Sequence, residues 1–187
     1  MQQSDVVQLF IEKAETVQAV VSKINHMDHA YHYTVNLTRE QSGKNVVATG
    51  LDPEEQERFK KLCKTSNLKL LKFPLGPPLN DIHTSLTVVD RGIAETGTLV
   101  LDSSLEDVRI ATMLVETHIA VLPAAKITPK ATDLEVELNA VMKKDVPSYT
   151  AFITGASRTA DIERVLAVGV HGPQELHILI LEVTQND

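Results

Sequence analysis

The sequence predicts an α/β protein, a three-layer domain spanning residues 1–187 with an amino-terminal helical extension over 1–45. Three observations carry this expectation. From Val46 onward, short apolar runs alternate with stretches of helical periodicity, as strands joined by crossover helices do, so the sheet should be at least half parallel. Helix-start signals fall between those runs, the plainest being Asp52-Pro53-Glu54-Glu55: a cap, a proline at the first helical position and acids in the first turn. A chain of 187 residues can bury one proper core, and with no Trp and few other aromatics that core must be built from Val, Leu, Ile and Ala.

Taken in order, Val6, Leu9, Phe10, Ala14, Val17, Val20, Val21 and Ile24 recur at helical spacing, opposite Glu12, Lys13, Glu15, Gln18 and Lys23. This predicts one long amphipathic helix over 4–24 that packs on its own domain, although the same face could serve a homo-oligomer. His26, His29 and His32 follow at intervals of three. Imidazoles on one helix face suit zinc, but this spacing drifts around the helix and no thiolate joins it, so a polar solvated segment is the better reading. A second helix is expected over 30–40, broken by Ser42-Gly43-Lys44. A strand over 46–48 then leads through Gly50 to the Asp52 helix, which turns Phe59, Leu62 and Cys63 inward. Cys63 reads as a small core residue.

Further strands are expected over 68–73, 86–89, 98–101, 118–122, 151–154 and 176–181, with a proline-rich surface loop from Pro74 to Pro78. Ser104 with Asp107, and Thr132 with Glu135, have the spacing of capping boxes for helices carrying Val108, Ala111 and Met113, and Leu134, Leu138, Val141 and Met142. After the 151–154 strand, Ser157, Thr159 and Asp161 could each cap a short helix suggested by Ile162, Val165 and Leu166. Backbone N–H groups at that helix start, with Arg158 beside them, would suit a carboxylate or a phosphate. Gly169, Gly172 and Pro173 confine His171 to a turn directly behind it.

Eighteen basic against 25 acidic residues give a net charge of −7, which argues against nucleic acid as a main partner. No apolar stretch has the length of a membrane span, and the Met1-Gln-Gln-Ser start lacks signal-peptide form, so no membrane association and a cytoplasmic location are expected. P-loop, Gly-x-Gly-x-x-Gly and Gly-x-Ser-x-Gly patterns are absent, shifting weight toward small acids or a protein partner. Cys63 stands alone, so this chain cannot supply four thiolates to an iron-sulfur cluster.

Thr154-Gly-Ala-Ser-Arg-Thr-Ala-Asp-Ile-Glu and Gly169-Val-His-Gly-Pro-Gln-Glu-Leu-His, with Ile93-Ala-Glu-Thr-Gly-Thr-Leu-Val-Leu101 and Leu122-Pro123, resemble the lactate-utilization protein C family of LUD-domain proteins. The resemblance is specific over roughly the last hundred residues and one of general layout before them. It implies a fold of the sugar-phosphate isomerase and CoA-transferase type, and a role in oxidising L-lactate to pyruvate beside iron-sulfur oxidoreductase partner proteins. With one cysteine here, the clusters would sit on those partners and this chain would need no cofactor of its own.

The resemblance transfers no catalytic residue, so the site expectations come from chemistry. Glu95, between two apolar runs and beside Gly97, could be held partly desolvated and act as base or nucleophile, with His171 as proton shuttle. The competing structural reading has Glu95 accepting hydrogen bonds to brace the Arg158 turn. Thr96, Gly97 and Thr98 are expected to meet Ser157, Arg158, Thr159, Asp161 and Gly172 in one ligand pocket beyond the carboxyl ends of the strands. Two functions follow. One is a non-redox subunit of an iron-sulfur lactate-oxidising system, binding a small carboxylate or a partner; the other is a stand-alone isomerase or CoA-transferase-like enzyme using Glu95, whose Glu-x-Gly setting resembles that of the transferases.

Overall fold

A computed structural model describes residues 2–75, 82–143, 148–160, 166–168 and 172–182, by backbone alone at 142, 158–160 and 166–168. The elements are α1 (Gln3–Thr16), β1 (Val20–Ile24), α2 (Met27–Glu40), β2 (Asn45–Thr49), α3 (Pro53–Thr65), β3 (Lys69–Leu70), β4 (Thr84–Val88), β5 (Arg91–Ile93), β6 (Thr98–Asp102), α4 (Glu106–Met113), β7 (Thr117–Pro123), β8 (Ile127–Thr128), α5 (Glu135–Met142), β9 (Thr150–Ile153), β10 (Arg158–Ala160), β11 (Leu166–Val168) and β12 (Glu175–Leu181). Six strands form a wholly parallel sheet in the order β1-β12-β7-β4-β2-β3. A second sheet, β8-β5-β6-β9, is mostly antiparallel, and β10 pairs with β11 as a separate ribbon.

Alternation along the parallel strands sends successive side chains to opposite faces and builds two cores. Ile119, Val121, Leu86, Val46 and Leu179 pack under α2 and α3 against Ala30, Tyr31, Val35, Phe59 and Cys63. Ala120, Leu122, Leu176, Ile178 and Ile180 pack under α1 and the second sheet, against Val6, Val7, Phe10, Ala14, Leu99 and Leu101. A smaller cluster joins Ile110 and Ala111 of α4 to Val47. The parallel strands are therefore apolar on both faces and read as continuous runs. Cys63 is fully buried, as its spacing suggested, and burial raises its thiol pKa to about 12.

Several expected elements need correction. The helix expected over 4–24 ends at Thr16; Gln18 takes a left-handed φ of 64°, and Val20–Ile24 turns into an edge strand paired in register with β12. Valine and isoleucine at i, i+1 and i+4 fit a strand as well as a helix, and an open edge beside β12 decides between them. Residues 1–45 thus contribute a strand to the sheet as well as two helices. The strand expected over 68–73 shortens to Lys69–Leu70, and β5 was not expected at all, although it forms a hairpin with β6. Neither expected capping box forms. Ser104 instead donates to Asp102 Oδ1 and accepts from the Tyr149 N–H, and a 3-10 turn, Ala131–Leu134, precedes α5. Arg158 to Ala160, at the expected helix start, form β10 and pair antiparallel with Val168 to Leu166, while Ile162 and Val165, which suggested that helix, lie outside the described residues. The inward Met142 side chain and the Pro74–Pro78 loop beyond Leu75 lie outside the described residues.

Candidate functional site

The turn motifs gather around the last turn of α1. Gly97 ends the β5–β6 turn with φ +63°, and a Cβ there would stand 2.3 Å from the Ala14 nitrogen. Gly155 follows β9 with φ +77°, and its Cβ would stand 2.5 Å from the Val17 carbonyl oxygen. Both conformations are cheap only for glycine, and both glycines let a turn close onto the helix backbone. Antiparallel pairing of β6 with β9, Leu99 opposite Ile153, then sets Thr98 beside Thr154. Their hydroxyls meet at 2.7 Å, and Thr98 also meets Thr96 at 2.8 Å, giving a line of three hydroxyls with buried Thr98 at its centre and exposed Thr96 and Thr154 at its ends. One turn further on, the Ser157 N–H donates to the Pro173 carbonyl (2.9 Å), and Gly172 packs so closely on Ser157 that an added Cβ would lie 3.1 Å from the serine Cβ.

Of the expected site residues, Thr96, Gly97 and Thr98 therefore adjoin Thr154-Gly155, and Ser157 adjoins Gly172. The side chains of Arg158 and Thr159, and Asp161 and His171 entirely, lie outside the described residues. Glu95 differs from expectation. It is exposed rather than desolvated, and its Oε1 accepts the Ala131 N–H at 2.8 Å, so it braces the 3-10 turn before α5. The placement of the cluster also needs correction. Gly172-Pro173 immediately precede β12 and Val17 precedes β1, so the turns gather at the amino ends of those parallel strands, not beyond carboxyl ends. The physical reason is that β9 belongs to the antiparallel sheet, so the turn after it obeys no parallel-strand rule.

Two polar assemblies form around His177 and His118, histidines whose positions in strands fit a structural role. The tail of the Gly169 to His177 motif builds a chain of hydrogen bonds: Tyr33 Oη to His177 Nδ1 (2.8 Å), His177 Nε2 to Glu175 Oε2 (2.9 Å), Gln41 Nε2 to the same carboxylate (2.9 Å), and Thr117 Oγ1 to Gln41 Oε1 (2.8 Å). A neutral His177 that donates from Nε2 to the carboxylate accepts from the Tyr33 hydroxyl, and burial together with the Glu175 and Glu40 charges raises the Tyr33 pKa. Glu175 and His177 were legible as polar residues in an apolar run; their partners on α2 were not. The second assembly is inside the sheet, where fully buried His118 meets Thr87 Oγ1 through Nε2 at 2.7 Å. Desolvation pulls its pKa down to about 4 and keeps it neutral.

A separate cavity of about 350 Å³ opens beyond the carboxyl ends of β4 and β7, between the second sheet and α5. Val100, Leu134 and Leu138 floor it, and its charged lining is Asp90, Asp102 and Glu137 against Arg91 and Lys126. Arg91 is already held by Glu137 (3.0 Å), so acids prevail there and the cavity does not suit a small anion. Among the described residues no three His, Cys, Asp or Glu side chains gather to hold a metal, and no helix is long and apolar enough to cross a membrane.

A parallel sheet covered by helices on one face and by helices and a small mixed sheet on the other defines the class: a layered α/β domain. The chain belongs to the LUD-domain family, whose model matches residues 7–181. It is similar to proteins named Lactate utilization protein C: 35% identical over 102 residues to that of Macrococcus caseolyticus, covering 54% of this chain and 44% of the relative. The Halalkalibacterium halodurans protein is 29% identical over 168 residues (86% and 71%), and the Bacillus subtilis protein 40% over 93 residues (49% and 39%). The matched region thus spans less than half the length of most of these relatives. In fold it is similar to a DUF162 family protein from Deinococcus radiodurans, with a TM-score of 0.66, 18% identity and coverage of 97% of this chain and 99% of that one.

Proposed function

We propose that the chain acts in L-lactate utilization as a subunit without a redox centre, binding a small carboxylate or a partner protein while iron-sulfur clusters on partner proteins carry the electrons. The observation that carries this is the family match across 7–181 in a chain with a single cysteine, since four-thiolate cluster ligation must then come from elsewhere. For the carboxylate, the hydroxyl line Thr96–Thr98–Thr154 keeps one O–H free to donate at an exposed end, beside backbone N–H groups of the same turns and close in sequence to Ser157. Such donors fix an anion without the cost of an unpaired buried charge. The purified chain should be colourless and give no L-lactate-dependent dye reduction by itself, gaining it only on reconstitution with iron-sulfur partners. Lactate-dependent reduction by the pure chain would sink the proposal.

A second reading, a fold of the isomerase or CoA-transferase type working as a stand-alone enzyme, rests on the exposure of Glu95 and the fixing of one of its oxygens by Ala131. An anchored, accessible carboxylate is placed to attack an acyl group. Trapping of an acyl group from a CoA thioester by the wild type, and not by Glu95→Gln, would favour it over the first.

A further inference from the structure

The chain ends two successive helices in the same way, and the repetition assembles a cationic groove. After α2, Ser42 is left-handed (φ 60°) and the Gly43 N–H donates to the Thr38 carbonyl at 2.8 Å; after α3, Asn67 is left-handed (φ 62°) and the Leu68 N–H donates to the Cys63 carbonyl at 2.9 Å. These are the long-range bonds of one helix-terminating motif, which also ends α1 through left-handed Gln18 (φ 64°) and the Ala19 N–H to the Ala14 carbonyl (3.0 Å). In the α2 and α3 copies a cation sits in the last helical turn and another stands five residues later at the start of a strand: Arg39 and Lys44, then Lys64 and Lys69. Parallel pairing of β2 with β3, Asn45 opposite Lys69, and the Lys69 N–H to Lys44 carbonyl bond (2.8 Å) bring the two copies side by side. The Lys44 and Lys69 backbones thus lie about one strand spacing, ~4.8 Å, apart, with the helix ends that carry Arg39 and Lys64 leading into them.

Between them lies an open groove of about 710 Å³ lined by these four residues with Ser42, Gly43, Asn45, Ser66, Asn67 and Leu68, and by no carboxylate. All four cations are exposed, and none joins an ion pair among the described residues. Complementing the helix carbonyl ends accounts for Arg39 and Lys64, and protecting a sheet edge accounts for Lys69. Neither accounts for Lys44, nor for four unpaired cations meeting without an acid in a chain of net charge −7.

We propose that this groove binds a compact polyanion with two or more phosphate groups, apart from the carboxylate site above. Four cations around one groove match a phosphoanhydride chain better than a single charge, and lysine serves phosphate as a movable point charge. Leu68, the single apolar side chain in the lining, is buried, and no aromatic ring lines the groove to stack on a base, so recognition is through the phosphates. The same chemistry is offered by inorganic pyrophosphate and by the tail of a nucleoside diphosphate.

Calorimetric titration of the full chain with pyrophosphate, ADP and citrate at constant ionic strength tests this. Saturable one-to-one binding of pyrophosphate, weakened about ten-fold or more in Lys44→Gln/Lys69→Gln and unchanged in Lys61→Gln, an exposed α3 lysine outside the groove lining, is expected. Equal affinity for ADP would assign the free phosphate chain as ligand, and tighter ADP binding a nucleotide. No saturable pyrophosphate binding, equal binding of citrate, or equal loss in Lys61→Gln would overturn the proposal. Thermal unfolding confirms that the variants, all at exposed positions, remain folded.

Discussion

Gly97 and His118 show how much single residues decide. Gly97→Ala would place a methyl group against the backbone of Ala14 in a left-handed conformation, two independent penalties that together cost about 2 to 4 kcal/mol. Thermal or denaturant unfolding should show this loss, and a smaller one for Gly172→Ala, whose methyl group would meet a side chain, not backbone. A finding that Gly97→Ala is neutral would remove the close approach of the turn to α1 from the account. His118 makes stability depend on pH in a fixed direction. Its folded pKa, about 4, lies below the unfolded value of 6.5, so above pH 6.5 both states are neutral and its contribution is complete. Between pH 6.5 and 4 only the unfolded state takes up the proton, and stability should fall by about 3 kcal/mol. That part of the pH profile should be absent in His118→Gln.

At the scale of elements, the hydrogen-bond chain from Tyr33 to Thr117 ties α2 to the amino ends of β12 and β7. Tyr33→Phe would leave the nearly buried His177 Nδ1 unpaired, costing about 1 to 3 kcal/mol. Double-mutant cycles with Glu175→Gln should show coupling, because both contacts fix one imidazole. Strict additivity would mean that the ring is held by packing alone. The α1 helix plays a different part, since its last turn is the surface on which the Gly97 and Gly155 turns close. The turn cluster and the helix therefore stand or fall together.

For the whole molecule, the two main cores share strands β7 and β12, whose alternate residues belong to opposite faces. Damage to either core should therefore lower the stability of both. Phe10→Ala under one face and Phe59→Ala under the other are each expected to cost about 3 to 5 kcal/mol and to leave a single unfolding transition, identical by near- and far-ultraviolet circular dichroism. Two separated transitions in either variant would show that the faces unfold independently.

The sequence by itself determined the α/β class, the buried run of each main parallel strand, the capped start of α3 and the core position of Cys63, because each is a local pattern of apolar spacing or backbone chemistry. It also marked Gly97 and Gly172 as turn positions, since glycine clusters punctuate a chain between elements. What it could not determine was who would stand opposite them. Val20–Ile24 became a strand because β12 left an open edge, and Arg158–Ala160 became a strand because Leu166–Val168 returned beside it. Glu95 found the Ala131 N–H, and the cations at Arg39, Lys44, Lys64 and Lys69 met only because β2 and β3 pair in parallel. Spacing along a chain fixes which face a side chain occupies, whereas its partner across the sheet is chosen by long-range packing that no window of sequence contains.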